Sequence, residues 1–104
     1  MTSILAPRYR LETIQARIRE GRYAITRSAA EGAGTLYLDE DDIKESILGL
    51  EDRHFFKSMP SRTRPGMAQD VYRFRCFGFA LYAKLQLGIG GTAVVISFKR
   101  DECA

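Results

Sequence analysis

Residues 69–100 read QDVYRFRCFGFALYAKLQLGIGGTAVVISFKR, with apolar and polar side chains alternating through most of the stretch. A period of two marks half-buried β-strands. Gly78 and the run Gly88-Ile89-Gly90-Gly91 divide it into strands over about Gln69–Cys76, Phe79–Leu87 and Thr92–Arg100. Connections this short join only antiparallel neighbours. Just upstream, Phe55–Met59 reads as another short strand, followed by the loop Pro60-Ser61-Arg62-Thr63-Arg64-Pro65-Gly66.

Before residue 55 the period is helical. Leu11, Ile14 and Ile18 predict a helix from about Arg10 to Glu20, stopped by Gly21. Tyr23–Thr26 fits a short strand, and Thr26 or Ser28 fits the cap of a second helix over Ala29 and Ala30. A third helix fits Asp39 to about Leu48, with Asp39 as its cap and further acidic groups in a first turn that the helix dipole favours. Helices first and a strand meander afterwards predict an α+β domain, an antiparallel β-sheet with the N-terminal helices packed on one face.

The 104 residues, 45% hydrophobic, suffice for one domain with its own core. The longest apolar stretches, Phe77–Leu81 and Ala93–Ile96, are too short to span a bilayer, and the N-terminus lacks the pattern of a secretory signal. Cys76 and Cys103 make neither a disulfide framework nor, alone, a zinc site. Cys76 reads as a small core residue and Cys103 as an incidental thiol. A cytoplasmic setting without cofactor or membrane is the expectation.

The net charge of +3 hides a division. Residues 1–30 carry six Arg against two Glu, residues 31–52 carry eight acidic groups against Lys44, and residues 53–104 carry nine basic groups against three acidic ones. The last segment is a candidate polyanion surface. The acidic block serves the third helix and also fits a repulsive guard against nucleic acid on that side. Arg outnumbers Lys twelve to four, which singles out each lysine for inspection.

Alternation sorts the strand residues by face. Tyr72, Phe74 and Cys76 face one way, and Gln69, Val71, Arg73 and Arg75 the other. Phe79, Leu81, Ala83, Leu85 and Leu87 oppose Tyr82, Lys84 and Gln86, while Val94, Ile96 and Phe98 oppose Val95, Ser97 and Lys99. The polar side thus collects Gln69, Arg73, Arg75, Tyr82, Lys84 and Lys99, joined by Lys57 from the preceding strand. A solvated face is one reading. Solvated faces usually mix signs, however, and here the one strand carboxylate, Asp70, falls on the opposite side. Cations, a tyrosine and amides on a sheet face suit RNA backbone and a stacked base.

His54 is the only histidine, so chemistry with two histidines is excluded. Metal-free phosphodiester transfer remains open. It needs an acceptor for the 2′-hydroxyl proton, a donor for the leaving 5′-oxygen, and cations around the phosphorane. Tyr82 serves as base or acid only where nearby cations lower its pKa. Lys57, Lys84 and Lys99 suit charge stabilisation or proton transfer, and Gln69 suits positioning. Arg62 and Arg64, in the Pro/Gly loop, either grip phosphates or are solvated; their nearness in sequence to Lys57 favours RNA.

Five stretches occur in order: Thr26-Arg27-Ser28-Ala29, Ile47-Leu48-Gly49-Leu50, Phe55-Phe56-Lys57-Ser58-Met59, Gln69-Asp70-Val71-Tyr72-Arg73 and Val95-Ile96-Ser97-Phe98-Lys99. In these the chain resembles, from about Tyr9 to Arg100, the MqsR family of toxins from bacterial type II toxin–antitoxin systems. The resemblance implies a RelE-like fold over a single domain, residues 1–104. It also implies a ribosome-independent mRNA interferase that cuts single-stranded mRNA at GC-containing, GCU-like sites with no metal. The implied partner is an antitoxin resembling MqsA, a zinc-binding region joined to a helix-turn-helix, so that operator DNA is reached only through the antitoxin. The family's functional lysine, glutamine, tyrosine and strand-end lysine fall on Lys57, Gln69, Tyr82 and Lys99, the expected catalytic set. Arg62, Arg64, Arg73, Arg75 and Lys84 are the expected RNA-binding set. Phe56 departs from the tyrosine of a well-known member; its ring is left for stacking or, by alternation, for the core. The competing function is a non-catalytic RNA-binding or regulatory module that acts through its antitoxin on operator DNA.

Overall fold

A computed structural model describes residues 6–62 and 64–102. Cys103, expected to be an incidental thiol, and Thr63 of the Pro/Gly loop lie outside the described residues. The elements run α1 (Leu11–Arg19), β1 (Tyr23–Ile25), α2 (Arg27–Gly34), α3 (Glu40–Leu48), β2 (Phe55–Pro60), β3 (Ala68–Cys76), β4 (Phe79–Leu87) and β5 (Ala93–Arg100). Short 3-10 turns occupy Asp52–His54 and Ile89–Gly91.

Local chemistry sets the helix ends. The Asp39 carboxylate accepts from the Asp42 backbone N–H while the Asp42 carboxylate accepts from the Asp39 N–H, a reciprocal cap on α3. Thr26 caps α2, its hydroxyl oxygen accepting from the Ala29 N–H at 3.1 Å. The β3–β4 hairpin turns through Phe77 and Gly78, both at positive φ, the twist that two-residue hairpins favour.

The sheet order is β1-β5-β4-β3-β2. The last four strands form the antiparallel meander that the sequence predicts. β1 pairs with β5 in parallel, Tyr23 opposite Ala93 and Ile25 opposite Val95, so the sheet is mixed. The α+β architecture holds, with the helices on one face. Leu11, Ile14 and Ile18 of α1, Ala29 and Ala33 of α2, and Ile43 and Ile47 of α3 form one buried cluster with Tyr72, Phe74, Leu81, Ala83, Leu85, Val95 and Phe98. Cys76 packs against that cluster, as expected of a small core residue.

One face assignment is corrected. Strict alternation puts Val94 and Ile96 in the core, but the core residue is Val95. The pairing passes from Lys84–Ser97 to Leu85–Val95, leaving Ile96 as the extra residue of a β-bulge. The bulge restores Phe98 to the core side and sends Lys99 to the opposite face.

Asp70 is fully buried on the helix side. Its carboxylate accepts from the backbone N–H groups of Arg8 and Tyr9, both at 2.9 Å, and Tyr9 donates its hydroxyl to the Ala68 carbonyl. The carboxylate therefore ties the segment before α1 to β3 and is withdrawn from the open face. Among the described residues no helix is long and apolar enough to cross a membrane.

Candidate active face of the sheet

The face away from the helices is organised by cross-strand rows. In one row Lys57, Val71, Lys84 and Ser97 lie side by side on β2, β3, β4 and β5. Val71 is fully buried although it points to this open side, because the stems of its paired neighbours Lys57 and Lys84 cover it. The two lysines thus sit about 10 Å apart across one strand.

The next row runs Arg73, Tyr82, Lys99. The Lys99 ammonium stands 5.2 Å from the centroid of the Tyr82 ring. Tyr82 is half-buried, paired across the strands with Arg73 on one side and Lys99 on the other. Three of the four expected catalytic residues, Lys57, Tyr82 and Lys99, therefore occupy adjoining rows, with Lys84 in the middle. The pKa of Lys84 is lowered, first by burial and then by the like charges of Lys99, Arg62 and Lys57. Arg62 acts on Lys84 from the loop, so that loop folds its charge back over the face.

A bulge also sets the position of Phe56. The β2–β3 pairing skips from Phe55–Tyr72 to Lys57–Val71. Phe55 turns inward, edge-on to Tyr72 at 5.7 Å, and Phe56 emerges on the open side, 42% exposed. The core position that alternation offered Phe56 is thereby excluded. The Arg73 guanidinium lies 4.8 Å above the Phe56 ring and the Lys57 ammonium 5.4 Å from it, as cation–π contacts. Arg73 also donates from Nε to the buried Asp101 carboxylate at 2.6 Å. Its charge reaches the face already paired, a constraint that the sequence does not display.

Gln69 lies one row further along. With Arg64 it lines an open cavity of about 530 Å³, shared with Thr26, Ser61, Gln86, Gly88, Ile89, Thr92, Val94 and Ile96. Arg75 is set apart at the other end, in a shallower hollow of about 350 Å³ with Arg53, His54 and Phe56. His54 is a local cap: its Nδ1 accepts the Glu51 backbone N–H at 2.9 Å.

Comparison with known proteins gives the family of the chain. Residues 6–100 match the family model described as motility quorum-sensing regulator, toxin of MqsA. The mRNA interferase toxin MqsR of Escherichia coli (strain K12) is 33% identical over 93 residues, covering 89% of this chain and 93% of that protein. The chain belongs to the MqsR toxin family. Within this MqsR-family sheet, Gln86 and Phe56 are the face residues that sequence reasoning left outside the site. Gln86 had a signal, since it follows Lys84 by one strand repeat. The outward turn of Phe56 had none, because a bulge depends on the partner strand.

Proposed function

We propose that this chain is a toxin endoribonuclease, one RelE-like domain over residues 1–104, that cuts single-stranded mRNA in the cytoplasm without a ribosome or a metal ion. The observation that carries this reading is the gathering of Lys57, Lys84 and Lys99 in the two rows that hold Tyr82, on a sheet face from which Asp70 is turned away and where the Asp101 carboxylate is taken up by Arg73.

The reaction is attack of a 2′-hydroxyl on its own 3′-phosphate. The 2′-oxygen forms a bond to phosphorus, the bond to the departing 5′-oxygen breaks, and one proton leaves the nucleophile while another reaches the leaving group. The products are a 2′,3′-cyclic phosphate and a 5′-hydroxyl. Lys57 and Lys99 stabilise the charge that grows on the phosphorane, and Tyr82, between Arg73 and Lys99, exchanges protons with the substrate. Gln69 positions the nucleotide. Lys84, Arg62, Arg64 and Arg75 hold neighbouring phosphates, and Arg73, fixed by Asp101, adds its charge and supports Phe56. The preferred sites contain GC, in a GCU-like context, and a cognate antitoxin resembling MqsA neutralises the activity and provides the link to operator DNA.

Mass spectrometry of a single-stranded RNA incubated with the chain in EDTA tests this. Fragments ending in 2′,3′-cyclic phosphate are expected. RNA recovered intact yet bound would replace the enzyme by the non-catalytic module. Loss of cleavage in EDTA alone would withdraw metal independence. Co-expression with the neighbouring antitoxin should relieve growth arrest, and failure to do so would remove that partner.

A further inference from the structure

The cavity that Ser61 and Arg64 line on one side and the Ile89 turn on the other is more than a margin of the cationic face. Its floor is the row next to Lys57 and Lys84: Gln69 and Gln86 side by side on β3 and β4, with Val94 and Ile96 from β5. The β5 bulge turns these two aliphatic side chains outward and so builds an apolar surface beside two carboxamides. Gln86 is only 8% exposed, yet within the described residues neither carboxamide hydrogen-bonds to the protein. Neither carboxamide is among the fully buried unpaired polar groups of the described residues, so their amide atoms open onto the cavity, available to a ligand that can pair with them. At the rim, Ile89 is 86% exposed on a turn held by Gly90 and Gly91, both at positive φ. Thr92 and Arg64 also line the cavity.

We infer that this cavity seats a single extruded nucleobase of the RNA and reads its edge. Each carboxamide offers one acceptor and two donors, the complement of a base edge with an adjacent donor and acceptor. Val94, Ile96 and Ile89 cover the base faces, and Arg64 meets the backbone. A volume of about 530 Å³ lies within the usual size of a small-molecule site. Gln69 lies two residues along β3 from Val71 and Gln86 two along β4 from Lys84, a step of about 7 Å, so a base seated here leaves its phosphate among the lysines. Gln86 becomes a specificity residue. The inference rests on the proposed endoribonuclease and names where one base of its site is selected.

The test is cleavage of a random-sequence RNA pool, with base frequencies counted at each position around the cut, for wild type, Gln86→Leu, Gln86→Glu and Ile89→Ser. Gln86→Leu should relax the preference at one position by roughly tenfold or more, leaving the others unchanged. Gln86→Glu, an acceptor only, should move the preference at that position towards guanine, which presents two adjacent donors on its pairing edge. Ile89→Ser alters an exposed turn residue outside the core cluster, so it should lower cleavage at preferred sites more than at others with Tm little changed. Wild-type profiles from both Gln86→Leu and Ile89→Ser overturn the inference. Should wild type cut nothing, the proposed function fails, and the cavity is judged separately by titration with the four 5′-nucleoside monophosphates. Shifts of the Gln69 and Gln86 side-chain amide signals in nuclear magnetic resonance then support the subsite, and silence with all four overturns it.

Discussion

Lys57 and Tyr82 owe their chemistry to the neighbours that the sheet gives them. Lys57 stands on the Val71–Lys84 row with its ammonium near the Phe56 ring, and Tyr82 stands between Arg73 and Lys99. Lys57→Ala removes a preorganised cation and should slow cleavage by about a hundred- to a thousandfold, roughly 3–4 kcal/mol. Tyr82→Phe removes one hydroxyl and should cost about 10²–10⁴ in rate with RNA affinity little changed. Quantified cleavage beside an RNA-binding titration checks both; a wild-type rate for Tyr82→Phe would transfer the proton role to a lysine. Lys84 makes a prediction of opposite sign for stability. Its pKa is lowered in the fold, so the folded chain holds that proton less tightly than the unfolded chain does. Charged Lys84 therefore destabilises the fold at neutral pH, and the penalty fades as pH rises through its lowered pKa towards 10.5. Lys84→Met should raise Tm at pH 7 while weakening RNA binding, and its Tm advantage should narrow at alkaline pH. A lower Tm for Lys84→Met at pH 7 would contradict this account.

At the scale of elements, the placement of α2 is the tightest constraint. A Cβ at Gly32 would fall inside contact distance of the Phe98 carbonyl oxygen on β5, which is backbone and cannot swing away. Gly32→Ala should force α2 off the sheet at a cost of roughly 1–3 kcal/mol. For a domain of this size each kcal/mol lowers Tm by about 4–8 °C. Gly34, in the same helix with open space at its Cβ position, is the control: Gly34→Ala should be neutral or stabilising by about 0.5–1 kcal/mol. Thermal melts of the two variants separate close approach from a general effect of alanine. Because Thr26 caps α2 and donates to the Ile96 carbonyl at 2.7 Å, displacement of α2 should also disturb the base cavity. Gly32→Ala is therefore expected to lose cleavage beyond its loss of stability.

Over the whole molecule, charge is divided between layers. The exposed acids of α3, Asp39, Glu40, Asp41 and Glu45, belong to the helical layer, whereas Lys57, Lys84, Lys99 and Arg62 gather on the other side of the sheet. A polyanion approaching the open face meets attraction there and repulsion if it strays towards α3. Affinity for a non-cleavable single-stranded RNA should fall with salt at a slope of about −0.7 in log–log form per neutralised phosphate. Roughly four phosphates under the lysines and loop arginines give a slope near −3. Fluorescence anisotropy over a salt series measures it, and a slope near zero would remove the electrostatic basis of RNA binding.

Several features needed no tertiary structure. The Asp39 and Thr26 caps, the helical stripe of Leu11, Ile14 and Ile18, and the alternation through β3 and β4 arise from interactions within a few residues, so the sequence displays them directly. The same alternation made Lys57, Gln69, Tyr82, Lys84 and Lys99 legible as one face. What the tertiary structure decided is non-local. The parallel pairing of β1 with β5 joins segments some seventy residues apart. The bulges at Phe56 and Ile96 depend on the register of the neighbouring strand, and each shifts side chains to the other face without any local sign. The Arg73–Asp101 pair and the cavity under Gln69 and Gln86 follow from those registers. Period and capping reside in the chain itself, whereas the direction in which a bulged residue points is settled only by the strand beside it.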